Sequence, residues 1–291
     1  MHTRDEIASQ PDTWRAAADL APTAATRLPA SGERVAVLGC GTSWFVAQSY
    51  AWLRESAGHG LTDAFQGSAF PAGRRYDRVV AISRSGTTSE ILATVAGLHA
   101  GTRVTALVAA PGTPLCAAAS DVVALPFADE RSVVQTRFPT SLLVLLRAHL
   151  GEDVAALPAQ AERALAAPLP DEHVKAEQVT FLGADWAFGL AQEAALKMRE
   201  TARAWSESYT PMEYRHGPLA IAEPGRLTWL FTGAPEGLAD QVAATGAAVK
   251  PAVLDPLAEL VHAQRLAVRA AEDRGIDPDV PRNLTRSVIL P

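Results

Sequence analysis

The sequence predicts an α/β fold of two lobes, each built on a parallel sheet covered on both faces. Three observations predict it. Short β-branched apolar runs alternate with helix-period stretches along the chain, the pattern of strand–helix–strand units. That alternation opens twice in the same way, with VAVLGCGTS in the first half and VTFLGADWA in the second. Two occurrences at so long a period indicate an internal duplication and not a solenoid. The chain also has 291 residues, more than one hydrophobic core usually holds.

Residues 34–40 (RVAVLGC) form an apolar run that ends in Gly-Cys-Gly, as a buried parallel strand does where it meets a tight turn. Thr42 and Ser43 stand where N-caps belong, and apolar periodicity predicts a helix to about residue 54. The pattern recurs as a strand at 77–82, a turn at 83–88, a helix at 89–100, and strands at 103–109 and 121–125. An Ala-, Pro- and charge-rich stretch at about 151–171 is the expected connection between halves. Beyond it come a strand at 178–182 ending at Gly183, a helix at 187–204, strands at 227–231 and 252–254, and an amphipathic helix at 257–274. The expected organisation is an N-terminal helical segment (1–30), two lobes (31–165 and 166–278), and a C-terminal tail (279–291) that closes over the active site.

Several function classes are disfavoured. A formal net charge of −6 argues against a broad surface for nucleic acid or anionic membrane. No segment has the length of apolar sequence that spans a bilayer. The start, MHTRDEIASQPDTW, lacks a basic n-region and an apolar run, so no secretory signal is read. Cys40 and Cys116 are too few and too far apart for a disulfide framework or a zinc cluster, which makes a reducing cytoplasm the expected compartment. No metal-ligand cluster and no cofactor motif is visible, so neither a metal nor a cofactor is expected.

In an open parallel sheet, ligands bind beyond the carboxyl ends of the strands, beside helix N-termini. The turn Ser83-Arg84-Ser85-Gly86-Thr87-Thr88 falls there. It offers hydroxyls, a flexible Gly, a guanidinium and backbone N–H groups, the donors a phosphate monoester needs. The Gly-Lys-Ser/Thr ending of a nucleotide-binding P-loop is absent. Ser/Thr-Gly clusters ordinarily make capped turns. Here Gly41-Thr42-Ser43 and Gln135-Thr136-Arg137 supply two more such clusters at equivalent places. The corresponding turn of the second half, Thr232-Gly233-Ala234-Pro235, lacks them, so one phosphate site per chain is expected.

Glu193, Lys197 and Glu200 share one helical face. A solvated face with an ion pair explains such a spacing, and so does a proton-transfer pair in a cleft. His216 lies in a Gly-Pro turn, where a histidine is as ordinarily a surface residue as a catalyst.

With these residues in place the sequence resembles the sugar isomerase (SIS) domain family, most closely the double-SIS isomerase half of glucosamine-6-phosphate synthase and its stand-alone relatives. Glu6-Ile7, Gln10-Pro11, GCGTS at 39–43, SRSGTTSE at 83–90, SVVQT at 132–136, EAALKMRE at 193–200, EYRHGPLAI at 213–221 and DVPRNLTRSV at 279–288 carry the resemblance in the family's order. It implies two flavodoxin-like, three-layer α/β/α SIS subdomains related by duplication. It also implies an aldose–ketose isomerase, with deamination as the family's other option, acting on a hexose or hexosamine 6-phosphate.

By resemblance, Gly41, Thr42, Ser43, Ser83, Arg84, Ser85, Gly86, Thr88, Val133, Gln135 and Arg286 would hold the substrate and its phosphate, Arg84 standing where a glutamine is common. Glu200 would be the base, Lys197 the stabiliser of the enediol-like intermediate, and Glu193 the residue that orients them. His216 would assist ring opening in the neighbouring subunit's site, which implies a homodimer. Two departures stand out. The glutaminase half of the synthase is missing from this sequence, and the family's tail lysine is Arg286, which cannot form a Schiff base. Gln135, Arg137 and Pro139 also differ from the synthase. A non-catalytic sugar-phosphate sensor that regulates a partner is the alternative implied by the same family.

Overall fold

All strand pairing is parallel, in two separate sheets, in the computed structural model, which describes residues 1–290. The first sheet comprises β1 (Val35–Gly39), β2 (Thr62–Gln66), β3 (Arg78–Ile82), β4 (Arg103–Val108) and β5 (Asp121–Ala124), in the order β2-β1-β3-β4-β5. The second comprises β6 (Gln178–Leu182), β7 (Trp205–Tyr209), β8 (Arg226–Leu230) and β9 (Ala248–Lys250), in the order β7-β6-β8-β9. The flavodoxin-like arrangement and the duplication expected from the sequence are both present. In each sheet the strand order reverses beside the first strand, at β1/β3 and at β6/β8. Such a reversal opens a crevice at the carboxyl ends of the strands.

Two compact units contain these sheets. One consists of residues 12–156 together with the tail from Thr285. The other consists of residues 1–11 and 157–284. Among the described residues no helix is long and apolar enough to cross a membrane.

The duplication extends to single backbone positions. β1 and β6 both end in a glycine with no room for a side chain. A Cβ on Gly39 would lie 2.3 Å from the Ser43 carbonyl, and one on Gly183 would lie 2.3 Å from that of Ala187. Both contacts are with backbone four residues ahead, where the next helix begins. Two residues beyond each glycine the backbone takes a positive φ, at Gly41 (54°) and Asp185 (58°). This conformation costs a non-glycine residue energy, least for Asp and Asn.

The structure revises several elements. β2 and β7 were not anticipated. Both are edge strands, TDAFQ and WSESY, each with only one fully buried residue. They lack both the continuous apolar run of the central strands and a clean alternation. The helix expected to reach residue 100 is Ser89–Ala96, ended by Gly97, whose N–H returns to the carbonyls of Ala93 and Thr94. The strand expected at 252–254 is displaced to β9. Pro251 has no N–H for a ladder, and the amides of Val253 and Leu254 donate instead to Glu259 Oε1 at 2.9 and 3.1 Å.

Helix Pro256–Asp273 is N-capped by Asp255, whose side chain accepts from Leu257 N at 2.9 Å. It buries His262 edge-on against Trp229, with ring centroids 5.0 Å apart. Burial first, then the charges of Lys250 and Arg265, push the His262 pKa down to about 4. A lowered folded pKa means that the unfolded chain takes the proton more readily. Stability is therefore complete above the unfolded pKa and declines as pH falls from about 6.5 towards 4. The expected loss through this group is roughly 3 kcal/mol at the bottom of that window. Urea midpoints of the wild type and of His262→Gln measured from pH 7.5 to 4 should converge as pH falls, and parallel profiles would refute the assignment.

Candidate functional site

β3 delivers Ser83 to the carboxyl edge of the first sheet, where its N–H extends the ladder to Leu107 O at 3.0 Å. The chain then turns back on itself, with Gly86 N donating to Ser83 O at 3.1 Å. Gly86 has φ 62°, and a Cβ there would lie 2.1 Å from the Thr113 hydroxyl. Only glycine fits. The hydroxyls of the turn form a dense set. Ser83 Oγ and Thr88 Oγ1 are 3.1 Å apart, and Ser85 Oγ accepts from Thr87 N at 3.2 Å.

The C-terminal tail completes this set. The Ser287 hydroxyl lies 3.0 Å from those of both Ser85 and Thr87, which are themselves 3.0 Å apart. Ser89 N donates to Val288 O at 3.2 Å, and Leu290 N donates to Ser89 Oγ at 2.9 Å. Ser287 was not singled out from the sequence, although it lies within the tail motif. Its role depends on a contact with residues some 200 positions away.

Ser43, Ser83, Arg84, Ser85, Thr88, Gln135 and Arg286 line one small polar cavity, together with Cys40. Thr42 is buried in the first turn of helix Thr42–Ser56 and, like Gly41, Gly86 and Val133, lies outside that lining. Gln135 Oε1 is buried without a hydrogen-bond partner. Burial foremost, with Glu90 contributing, pushes the Cys40 thiol up to about 11, so it remains protonated.

Arg84 commits both terminal nitrogens of its guanidinium to protein partners, while its buried Nε has no hydrogen-bond partner. The guanidinium is buried, and Nη1 donates to Ser132 O at 2.9 Å and pairs with Glu130 at 3.4 Å. Nη2 donates to the carbonyls of Val133 and Arg286, both at 3.1 Å. Arg84 is a clamp between the turn, the 130–133 segment and the tail. Its partner Glu130 also escaped the sequence reading, because it is not at capping-box spacing. Buried, it accepts from Thr136 N, Thr136 Oγ1 and Arg137 N at 2.5, 3.0 and 2.8 Å, and so caps helix Arg137–His149. Arg286 is held by Glu130 O at 3.2 Å and Asp129 Oδ1 at 2.5 Å.

The other unit contains the charged cluster. On helix Ala187–Ala202, Lys197 Nζ lies 3.1 Å from Glu193 Oε1 and 2.6 Å from Glu200 Oε2. Lys197 and Glu193 are each 1 % exposed, and Glu200 is half-buried. The solvated-face explanation therefore fails at Glu193 and Lys197. Burial by itself lowers the Lys197 pKa, but the two carboxylates outweigh it and the net direction is upward. An ammonium held in this way stays charged. It can stabilise an oxyanion but cannot act as an amine nucleophile. Glu200 is the member of the cluster with solvent access, and it accepts from a fixed cation. His216 is not part of this cluster. It is exposed in the turn after helix Pro211–Tyr214, and its ring makes no hydrogen bond among the described residues. Beside it, Arg215 anchors the turn through Gln241 Oε1 at 3.0 Å and Glu236 O at 2.6 Å.

No family model matches this chain. Its curated relatives include the isomerizing glutamine–fructose-6-phosphate aminotransferases of Gloeobacter violaceus and Methanothermobacter thermautotrophicus. Each is 28% identical over 89% of this chain and 52% of the relative. The chain thus spans about half the length of the curated relatives it matches. Among solved structures, glucosamine-6-phosphate deaminase from Thermotoga maritima superposes with a TM-score of 0.81 at 24% identity, covering 99% of each chain. The C-terminal domain of glucosamine-fructose-6-phosphate aminotransferase from Francisella tularensis gives a TM-score of 0.82 at 19% identity, covering 97% of this chain and 98% of that domain. The resemblance read from the sequence motifs holds: the chain is homologous to the aminotransferases and shares the fold of the double-SIS proteins.

Proposed function

We propose that this chain is a sugar-phosphate aldose–ketose isomerase that acts on a hexose or hexosamine 6-phosphate, and that it deaminates where the substrate bears a 2-amino group. The observation that carries the reading is the Lys197 ammonium buried between Glu193 and Glu200. A sensor needs a phosphate turn but no such charged set, and the curated relatives are isomerizing enzymes acting on fructose 6-phosphate by name.

In this reading, Ser43, Ser83, Ser85 and Thr88 hold the phosphate, and Thr42, Gly41 and Gly86 shape the turns that present them. Arg84 and Val133 tie the turn to its neighbours. Gln135, in the lining of the same cavity, meets a substrate hydroxyl or amine. Glu200 carries the proton between C1 and C2 on one face of the enediolate, Lys197 stabilises the developing oxyanion, and Glu193 holds Lys197 in place. Arg286 binds an anionic or hydroxyl group without forming an imine. No step calls for a metal.

The test is proton NMR in D2O with fructose 6-phosphate, glucose 6-phosphate, glucosamine 6-phosphate and galactosamine 6-phosphate, each offered alone. Deuterium entering at C1 or C2 of one of them is expected. Binding of every sugar with no exchange would transfer the chain to the sensors. Ser85→Ala should weaken sugar-phosphate affinity about tenfold, the size of a lost hydrogen bond to a charged group, while exchange at saturating substrate is retained. Equal affinity in a calorimetric titration would remove Ser85 from the phosphate site.

His216, exposed and without a ring partner, serves the site of a second copy in a homodimer. A mixture of two inactive variants, His216→Asn and Glu200→Gln, should recover activity through mixed dimers. A mixture as inactive as its components would place His216 elsewhere.

A further inference from the structure

The unit of residues 1–11 and 157–284 contains a cavity of about 370 Å³ that shares no residue with the Glu193–Lys197–Glu200 cluster. It lies between helix His2–Ala8, the end of helix Leu157–Ala166 with Leu169 beyond it, and helix Pro256–Asp273. Ile7, Ala8, Leu165, Leu169 and Val268 give it an apolar lining. Ligand pockets span about 300–1,000 Å³ and set a few polar groups in walls of this kind.

Arg265 is the polar group that gives this cavity its chemistry. Its Nη1 donates to Ala164 O and Ala167 O, both at 2.7 Å, and so ties the guanidinium to the end of helix Leu157–Ala166. Nε and Nη2 make no hydrogen bond among the described residues, and neither is a solvent-excluded atom. These two nitrogens form one edge of the planar group, and their parallel N–H bonds match the two oxygens of a carboxylate. The same edge holds acids elsewhere in the chain. Arg103 grips Asp121 through Nε at 2.6 Å and Nη2 at 3.0 Å, and Arg78 grips Glu33 at 2.9 and 3.1 Å.

On Arg265 that edge meets no acid. The one carboxylate in the lining, Glu272, is paired with Arg4. Burial alone pushes the Arg265 pKa down, with no carboxylate opposing it, and an arginine keeps its charge regardless. Arg269, exposed in the same lining, makes no ion pair among the described residues. The acid that senses its charge, Asp171, is held by Lys175 at 2.9 Å. Two guanidinium charges without a carboxylate partner therefore stand beside apolar walls. A sugar phosphate, polar all round, gains little from such walls, whereas an anion with a hydrocarbon body is stabilised by both.

We propose that this cavity binds a small organic monocarboxylate, with its hydrocarbon body against Ile7, Leu165 and Val268 and its carboxylate gripped side-on by Arg265 Nε–H and Nη2–H. The ligand supplies the counter-charge that the fold leaves out.

The test is a calorimetric titration of the purified chain with sodium hexanoate, hexan-1-ol and sodium acetate, beside 1H–15N spectra of the arginine Nε–H groups. Hexanoate should bind saturably in the millimolar range and shift the Arg265 resonance. Hexan-1-ol and acetate each lack one half of the ligand and should bind at least about tenfold more weakly. Arg265→Gln should weaken hexanoate at least about tenfold, the size of a lost hydrogen bond to a charged group. Should that variant fail to fold, Ala8→Trp, at an exposed position in the lining, narrows the cavity, leaves Arg265 intact and should block the hexanoate shift. No saturable binding, binding that leaves the Arg265 resonance unmoved, equal binding of hexan-1-ol or acetate, or undiminished binding in the variant that folds would each overturn the proposal.

Discussion

Glu200→Gln is expected to reduce solvent-deuterium exchange into the sugar phosphate by about a thousandfold, a typical effect of removing a positioned general base, with affinity for the sugar phosphate nearly unchanged. The substitution is conservative where it matters for folding. A glutamine oxygen can still accept from Lys197 Nζ, now 2.6 Å from Glu200 Oε2, and Lys197 keeps its 3.1 Å contact with Glu193. The buried ammonium is therefore not stranded, and what is lost is a group able to take a proton. Replacing Lys197 is a poorer probe, since it leaves the buried Glu193 carboxylate without its cation, a defect of about 3–5 kcal/mol that confounds activity with folding. The readout is kcat for exchange beside Kd by calorimetry. A fall in kcat alone is the result expected. Exchange at the wild-type rate would remove Glu200 from the base role, and a parallel loss of binding would mean that it holds substrate instead.

Arg84→Met is expected to destabilise the unit of residues 12–156 and the tail by about 3–5 kcal/mol, because it breaks a buried ion pair by removing one partner. Glu130 is fully buried beside Arg84 and is also the cap of helix Arg137–His149. Without the guanidinium, its carboxylate loses the nearby positive charge. The carbonyls of Ser132, Val133 and Arg286 lose their donor at the same time. In a unit of this size the thermal midpoint should fall by about 10 °C. The pair can be separated from the packing by Arg84→Met combined with Glu130→Gln, which removes both charges and should recover part of the loss. Additive effects of the two changes would show that the ion pair contributes nothing. A midpoint unchanged in the single variant would refute the clamp and return Arg84 to a direct role at the phosphate.

The expected strands that lie at the centres of the two sheets were legible because they are buried on both faces. Such strands read as continuous apolar runs, and β1, β3 and β6 are buried at every position. The glycine turns were legible for a related reason. Gly39 and Gly183 sit where the next helix leaves no space for a Cβ, so residue type and geometry coincide. The edge strands β2 and β7 left no such signal. Their pairing is decided by β1 and β6, and their own side chains stay partly in water.

The candidate site divides along the same line. The sequence by itself determined the fold class, the duplication, the position of the hydroxyl turn at Ser83–Thr88 and the spacing that puts Glu193, Lys197 and Glu200 on one face. These depend on periodicity and on residues close together in the chain. Only the tertiary structure decided that this face is buried around a charged lysine, and that Arg84 clamps Glu130 and the tail. It alone showed that Ser287 joins the hydroxyls of Ser85 and Thr87. Arg84 meets Glu130 across 46 positions and Arg286 across 202. Local spacing gives no account of such partners, because a buried charge takes its counter-charge from whatever the fold brings beside it.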